Sequence, residues 1–202
     1  MARHNVAVIK TIQPKGPYAL IGYSFGGLIA LEMSRCLLAD RENVALLALL
    51  DTYPHIRYLP PTQRLRLAVQ RMKSHLLNIK QMPFGGALSY CGHRLLRRLH
   101  LAGLLTQPSA DTDPGSHIKD RNYAAFRKYR PRFYPGKIKF VRAEVSSFLP
   151  SNPMAVWGEL VAGMEVETVP GDHLDIIDRH YQKLSPLLSR YLDRALDERP
   201  RE

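Results

Sequence analysis

Between Thr52 and Ala110 the chain contains no aspartate or glutamate. Arg57, Arg64, Arg66, Arg71, Lys73, Lys80, Arg94, Arg97 and Arg98 leave that stretch strongly basic. Over all 202 residues, Lys+Arg 29 against Asp+Glu 18 gives a formal charge of +11. A charge of this size favours acidic partners. Nucleic acid is the first to consider, yet zinc-ligand spacing, a helix-turn-helix signature and aromatic RNA-binding motifs are all lacking. Cysteine is scarce: only Cys36 and Cys91 are present, which excludes a disulfide framework and points to a reducing compartment, the cytoplasm. Arg3 and His4 near the N-terminus are not followed by an apolar stretch long enough for a signal peptide, and no run approaches a membrane span. Low-complexity tracts are absent and 45% of residues are hydrophobic, so one folded domain over residues 1–202 is expected.

The most informative stretch runs from Tyr18 to Gly27, Tyr-Ala-Leu-Ile-Gly-Tyr-Ser-Phe-Gly-Gly. A short apolar run, Tyr18–Gly22, reads as a strand, and Leu28 to Leu38 has helical spacing. Between them Ser24 occupies the apex of a sharp strand-to-helix turn, with its hydroxyl thrust outward and the flanking glycines avoiding a Cβ clash. Val44 to Leu50 is a continuous apolar run, as expected of a parallel strand buried on both faces, and it ends at Asp51. Strand, helix and strand in this order place Ser24 and Asp51 at the same carboxyl edge of a parallel sheet.

The basic stretch that follows reads as a helical insertion, in which Leu65, Val69, Met72, Leu76 and Ile79, and then Leu88, Cys91, Leu95 and Leu99, recur at helical spacing. Ser109 to Lys119 is polar and is expected to be a loop. Asn122 to Arg130 reads as a short helix carrying Tyr123, Phe126 and Tyr129. Lys137–Ala143 reads as a strand closed by Glu144, and a loop with Pro150 and Pro153 leads to Trp157. Met164–Val169 is the next expected strand, Pro170 to His173 a turn, and a final helix is expected from about Asp175 to Leu196. Residues 5–13 fit the last turns of a helix.

Three groups with complementary chemistry thus stand at strand ends in the order Ser24, Asp51, His173. A serine becomes a nucleophile when an imidazole takes its proton, and that imidazole needs a carboxylate to fix its tautomer. Nucleophile, acid, base is the chain order of the α/β-hydrolase fold, in which the base follows the last strand. The other histidines lie in the insertion, in loops or inside a helix, where surface or packing roles suit them better. Position leaves Asp51 and Glu144 as rivals for the acid, whereas Asp172, adjacent to His173, suits a turn.

Gly16-Pro17-Tyr18, Gly22 to Gly27, Leu50-Asp51, Tyr129-Arg130-Pro131 and Pro170 to His173 together resemble the thioesterase domains of nonribosomal peptide and polyketide synthases. The resemblance implies an α/β-hydrolase fold with a mostly parallel sheet, flanking helices and a helical lid inserted at about residues 54–118. It places the acid at Asp51 and one oxyanion donor at the Phe25 N–H. It implies an acyl or peptidyl substrate on the phosphopantetheine arm of an acidic carrier protein, and no cofactor or metal of the enzyme's own. Tyr23 precedes the serine where histidine is frequent. The family also carries several strands and a helix ahead of Gly16-Pro17-Tyr18, so this chain is expected to lack those strands and the second oxyanion donor they bring. Loss of one such donor typically costs about 10²–10³ in rate. The alternatives to a thioesterase are a carrier-binding module with impaired turnover and an α/β-hydrolase acting on ordinary esters.

Overall fold

The computed structural model describes residues 1–81, 114–145 and 149–197. Four parallel strands form one sheet in the order β1 (Tyr18–Tyr23), β2 (Val44–Leu50), β3 (Tyr134–Ala143) and β4 (Val161–Val169). Helices join them: α2 (Phe25–Ala39) links β1 to β2, α3 (Pro61–Gln81) and α4 (Pro114–Lys128) fall between β2 and β3, and α5 (Met154–Trp157) precedes β4. Helix α1 (Ala2–Ile12) opens the chain and α6 (Tyr181–Asp197) closes the described part.

The apolar run of β2 is buried as its composition demands. Leu47 and Leu49 face a core shared with Leu28 and Leu31 of α2, Phe140 of β3 and Trp157 of α5. Leu46, Ala48 and Leu50 alternate to the opposite face, where Leu184, Leu187 and Tyr191 of α6 cover them. A smaller core ties α1 to α2 through Val6, Met33 and Leu37. Helices therefore pack both faces of the sheet, and all four strands end at one edge.

Several expectations need correction, among them β3, which begins at Tyr134 rather than Lys137, and the loop leading to Trp157, which ends in the short helix α5. Pro114 starts α4 eight residues before the expected Asn122, so most of the segment read as a loop is helical where it is described; proline is well suited to a first helical position. Strand β4 begins at Val161 because its backbone continues pairing past Gly163 with Lys137. The final helix begins at Tyr181, since residues 173–180 form turns, opened by the Asp172 side chain at Leu174 and Asp175 and continued by the Arg179 and His180 N–H groups on Asp175 O. Among the described side chains of α3, Gln63 and Leu67 are buried, whereas Leu65, Val69 and Met72 are exposed. The second insertion helix, about residues 88–99, lies outside the described residues.

Candidate active site

Every strand of the sheet delivers its carboxyl end to one edge, and three of those ends carry the chemistry. The β1 strand runs through Gly22, where an added Cβ would stand 2.5 Å from the Gly26 carbonyl oxygen and 2.5 Å from the Gly27 Cα. Gly27 in turn packs against Thr52, whose Oγ1 would lie 2.0 Å from an added Cβ. The missing side chains at these two positions let the start of α2 sit directly on the ends of β1 and β2. Gly26 is different: an added Cβ would meet nothing within 4 Å. Of the two glycines flanking the serine, only Gly22 relieves a clash.

Ser24 adopts φ 53 and ψ −121 at the N-cap of α2, without a side-chain capping bond. A non-glycine residue pays roughly 1–3 kcal/mol to hold such a backbone conformation. It is fixed from below, because the Ser24 N–H donates to Leu50 O at 2.9 Å. Its hydroxyl is thereby released from helix capping and faces His173, with Oγ 3.0 Å from Nε2. On the other side of the imidazole, Nδ1 lies 2.7 Å from Asp51 Oδ2. An ionised carboxylate only accepts, so Nδ1 carries the proton and Nε2 is left to accept from Ser24 Oγ.

Asp51 is only 3% exposed and, like Ser24, has a positive φ of 44. Its N–H donates to Val141 O at 2.7 Å, and its Oδ1 accepts from the Ala143 N–H at 3.2 Å. One carboxylate oxygen is thus spent on holding the acid in place, and the other on the imidazole. Glu144, the rival acid, is exposed at the end of β3, and its N–H continues the sheet to Val169 O. The structure therefore brings Ser24, His173 and Asp51 together and leaves Glu144 apart. Phe25, the other expected site residue, is the first residue of α2, where backbone N–H groups have no intrahelical acceptor.

His173 is presented by a turn that follows β4. Gly171 takes φ 89, a conformation L side chains rarely adopt. Asp172 then bonds the chain beyond His173, its Oδ1 accepting from the N–H groups of Leu174 at 2.9 Å and Asp175 at 3.1 Å. Those two donors hold the Asp172 carboxyl below the usual aspartate value. The turn role assigned to Asp172 from sequence is the one it fills.

Several groups around the triad carried no sequence signal beyond their type. Trp157 is fully buried and its Nε1–H donates to Thr52 O at 2.9 Å, pinning the chain just after Asp51. Tyr23 stacks on the imidazole of His173, with ring centroids 4.8 Å apart and planes 25° from parallel. Burial, and then the neighbouring Asp51 and Asp172 carboxylates, push the Tyr23 phenol upward, so it stays a proton donor. A cleft of about 350 Å³ opens over Ser24, Asp51 and His173 and is walled by Phe25, Tyr53, Tyr123 and Phe126. His55 meets the rings of Tyr123 and Phe126 at the same wall, and burial followed by Arg127 and Arg57 lowers its pKa, favouring the neutral ring. Among the described residues, no group of three or more His, Cys, Asp or Glu could hold a metal ion. No described helix is long and apolar enough to cross a membrane.

Comparison with known proteins points the same way. Residues 1–100 match the family model described as the thioesterase domain. The chain is 51% identical over 49 residues to the N-(5-amino-5-carboxypentanoyl)-L-cysteinyl-D-valine synthase of Penicillium rubens, covering 24% of this chain and 1% of that protein. It is 28% identical over 155 residues to the dimodular nonribosomal peptide synthase of Bacillus subtilis, covering 72% of this chain and 6% of that one. The chain thus spans a small fraction of these curated relatives. Among solved structures, the NocB thioesterase domain from the nocardicin cluster superposes with a TM-score of 0.58 at 23% identity, over 96% of this chain and 72% of that chain. Human thioesterase 2 gives a TM-score of 0.54 at 16% identity, over 97% of this chain and 80% of its own. At these identities the structural likeness carries the fold.

Proposed function

Residues 1–100 match the thioesterase-domain family model and the chain has the α/β-hydrolase fold of solved thioesterases; from that premise we propose that it is a serine thioesterase releasing an acyl or peptidyl chain from a carrier protein. The observation that carries the reading is the unbroken chain of contacts from Ser24 Oγ through His173 to Asp51, at 3.0 and 2.7 Å. In the first half-reaction Ser24 Oγ attacks the thioester carbonyl and passes its proton to His173 Nε2. Asp51 holds the ring and balances the charge the imidazolium gains. The Phe25 N–H, at the positive end of α2, faces the developing oxyanion. Collapse breaks the C–S bond, and His173 returns the proton to the departing phosphopantetheine thiol. Water, or a nucleophile within the chain, then attacks acyl-Ser24 by the same proton route in reverse.

The carrier is the partner the surface suits. Carrier proteins are acidic, and α3 exposes Arg64 and Arg66 beside the apolar Leu65, Val69 and Met72. Helix α4, which lines the cleft through Asn122, Tyr123 and Phe126, adds the exposed Arg121 and Arg127. The α3 part of this surface belongs to the lid of about residues 54–118, in one domain over 1–202, working in the cytoplasm. The enzyme needs no cofactor of its own, because the phosphopantetheine arrives with the substrate.

The test is direct. A fluorophosphonate probe should label the wild type at Ser24 and leave Ser24→Ala untouched, and an acyl thioester of N-acetylcysteamine should be turned over faster than the matched oxyester. Labelling that survives Ser24→Ala would refute the nucleophile assignment. Carrier binding without any turnover would leave only a docking module with impaired chemistry, and preference for the oxyester would make the protein an ordinary esterase.

A further inference from the structure

Tyr23, the residue before the nucleophile, makes two separate contacts with His173. Its ring lies against the imidazole face, 4.8 Å between centroids and 25° between planes. Its hydroxyl donates to the His173 backbone carbonyl at 2.5 Å. The side chain therefore restrains the histidine both as a ring and as a backbone unit. We propose that Tyr23 is the positioning residue for His173, holding the imidazole plane where Nε2 meets Ser24 Oγ while Nδ1 meets Asp51. This rests on the serine-hydrolase reading of the triad.

The Asp51 and Ser24 contacts hold the two ring nitrogens but leave the imidazole plane free to tilt about the line between them. The loop bearing His173 is anchored in the core by the fully buried Ile176, three residues further on, which holds the backbone and not the ring, while Leu174 is 69% exposed and Ile177 44% exposed. The Asp172 carboxylate ties down the backbone after His173, not its ring. The Tyr23 face supplies the missing restraint, and it comes from the end of β1, the same strand that sets Ser24. Base and nucleophile are thereby indexed to one piece of backbone. When His173 takes the serine proton, a π-face already lies beside the new cation, an arrangement that favours the charged ring. Displacement of about 1 Å in a catalytic group can cost on the order of 10²-fold in rate.

The experiment is a double-mutant cycle read by the rate of fluorophosphonate labelling and by kcat and KM on an acyl thioester. Tyr23→Leu, which removes ring and hydroxyl, should lower kcat and the labelling rate by about tenfold to a hundredfold with KM little changed. Tyr23→Phe keeps the stack and loses only the hydroxyl, so it should recover most of that loss. In a His173→Ala background, Tyr23→Leu should cost nothing further, because its effect runs through the histidine. Thermal melting of each variant identifies any that fails to fold, and Tyr23→Phe then carries the comparison alone through its several-fold loss. An equal loss from Tyr23→Leu with and without His173 would overturn the proposal, as would a wild-type kcat in Tyr23→Leu. A wild type that neither labels nor turns over would overturn the serine-hydrolase reading itself.

Discussion

Ser24 holds its unfavourable φ of 53 because the backbone on either side gives it no alternative: its N–H is tied to Leu50 O, and α2 begins at the next residue. Ser24→Gly should therefore relax the turn and raise stability by about 1–2 kcal/mol in chemical denaturation while abolishing probe labelling. The glycines around it should not behave alike. Gly22→Ala and Gly27→Ala each push a Cβ into an occupied position and should cost about 1–3 kcal/mol or more, whereas Gly26→Ala meets open space and should be neutral or slightly stabilising. Asp51→Asn, with the fold intact, should slow labelling of Ser24 by roughly 10⁴-fold, because the amide can present its NH₂ to Nδ1 and leave the imidazole in the wrong tautomer. The Gly-Tyr-Ser-Phe-Gly signature made the nucleophile legible in the sequence. Asp51 was separable from Glu144 only by family resemblance, because position alone cannot say which strand-end residue turns inward. The reason for the inward turn is local: Asp51 leaves β2 through a positive φ, while Glu144, at a bend after β3 without a positive φ, stays exposed.

At the level of elements, strands and helices had to be tied at their ends for the triad to close. Trp157 does this for the chain after β2. Trp157→Phe removes the donor to Thr52 O and leaves a buried carbonyl unpaired, which should cost about 1–3 kcal/mol by denaturation and reduce labelling as Asp51 loosens. The turn bearing His173 depends on a charged group instead. The folded Asp172 carboxyl is lowered by the Asp175 and Leu174 N–H groups, so its contribution is complete above the ordinary carboxylate range and fades as pH falls through its depressed value. Amide exchange at Leu174 and Asp175 should stay slow at neutral pH and rise only on the acid side of that range. In Asp172→Ala it should already be fast at pH 7. This turn also explains why the start of α6 was read too early. Ile176 is fully buried and sits in helical register with the residues after it, but bonds to Asp172 and then to the Asp175 carbonyl hold that stretch in turns until Tyr181. Strands β1 and β2 and helix α2 were legible because their burial follows periodicity directly. Helix α4 was obscured at its start because its first turns are polar.

For the molecule as a whole, the +11 charge is the property most visible in the sequence and the one whose meaning depends most on the fold. Composition alone makes nucleic acid the first partner to consider; under the thioesterase reading proposed above, the same charge would serve an acidic, carrier-borne substrate. Arg64→Glu with Arg66→Glu should raise KM for an acyl-loaded carrier at low salt and leave turnover of a small thioester unchanged. The central claim is that Ser24 carries the acyl group. Mass spectrometry of the protein quenched during turnover of an acyl thioester tests it most directly. The expected result is an acyl adduct on the peptide containing Ser24 that accumulates in His173→Ala far more slowly than in the wild type and is absent from Ser24→Ala. Turnover with no adduct, or an adduct that persists when Ser24 is alanine, would contradict it.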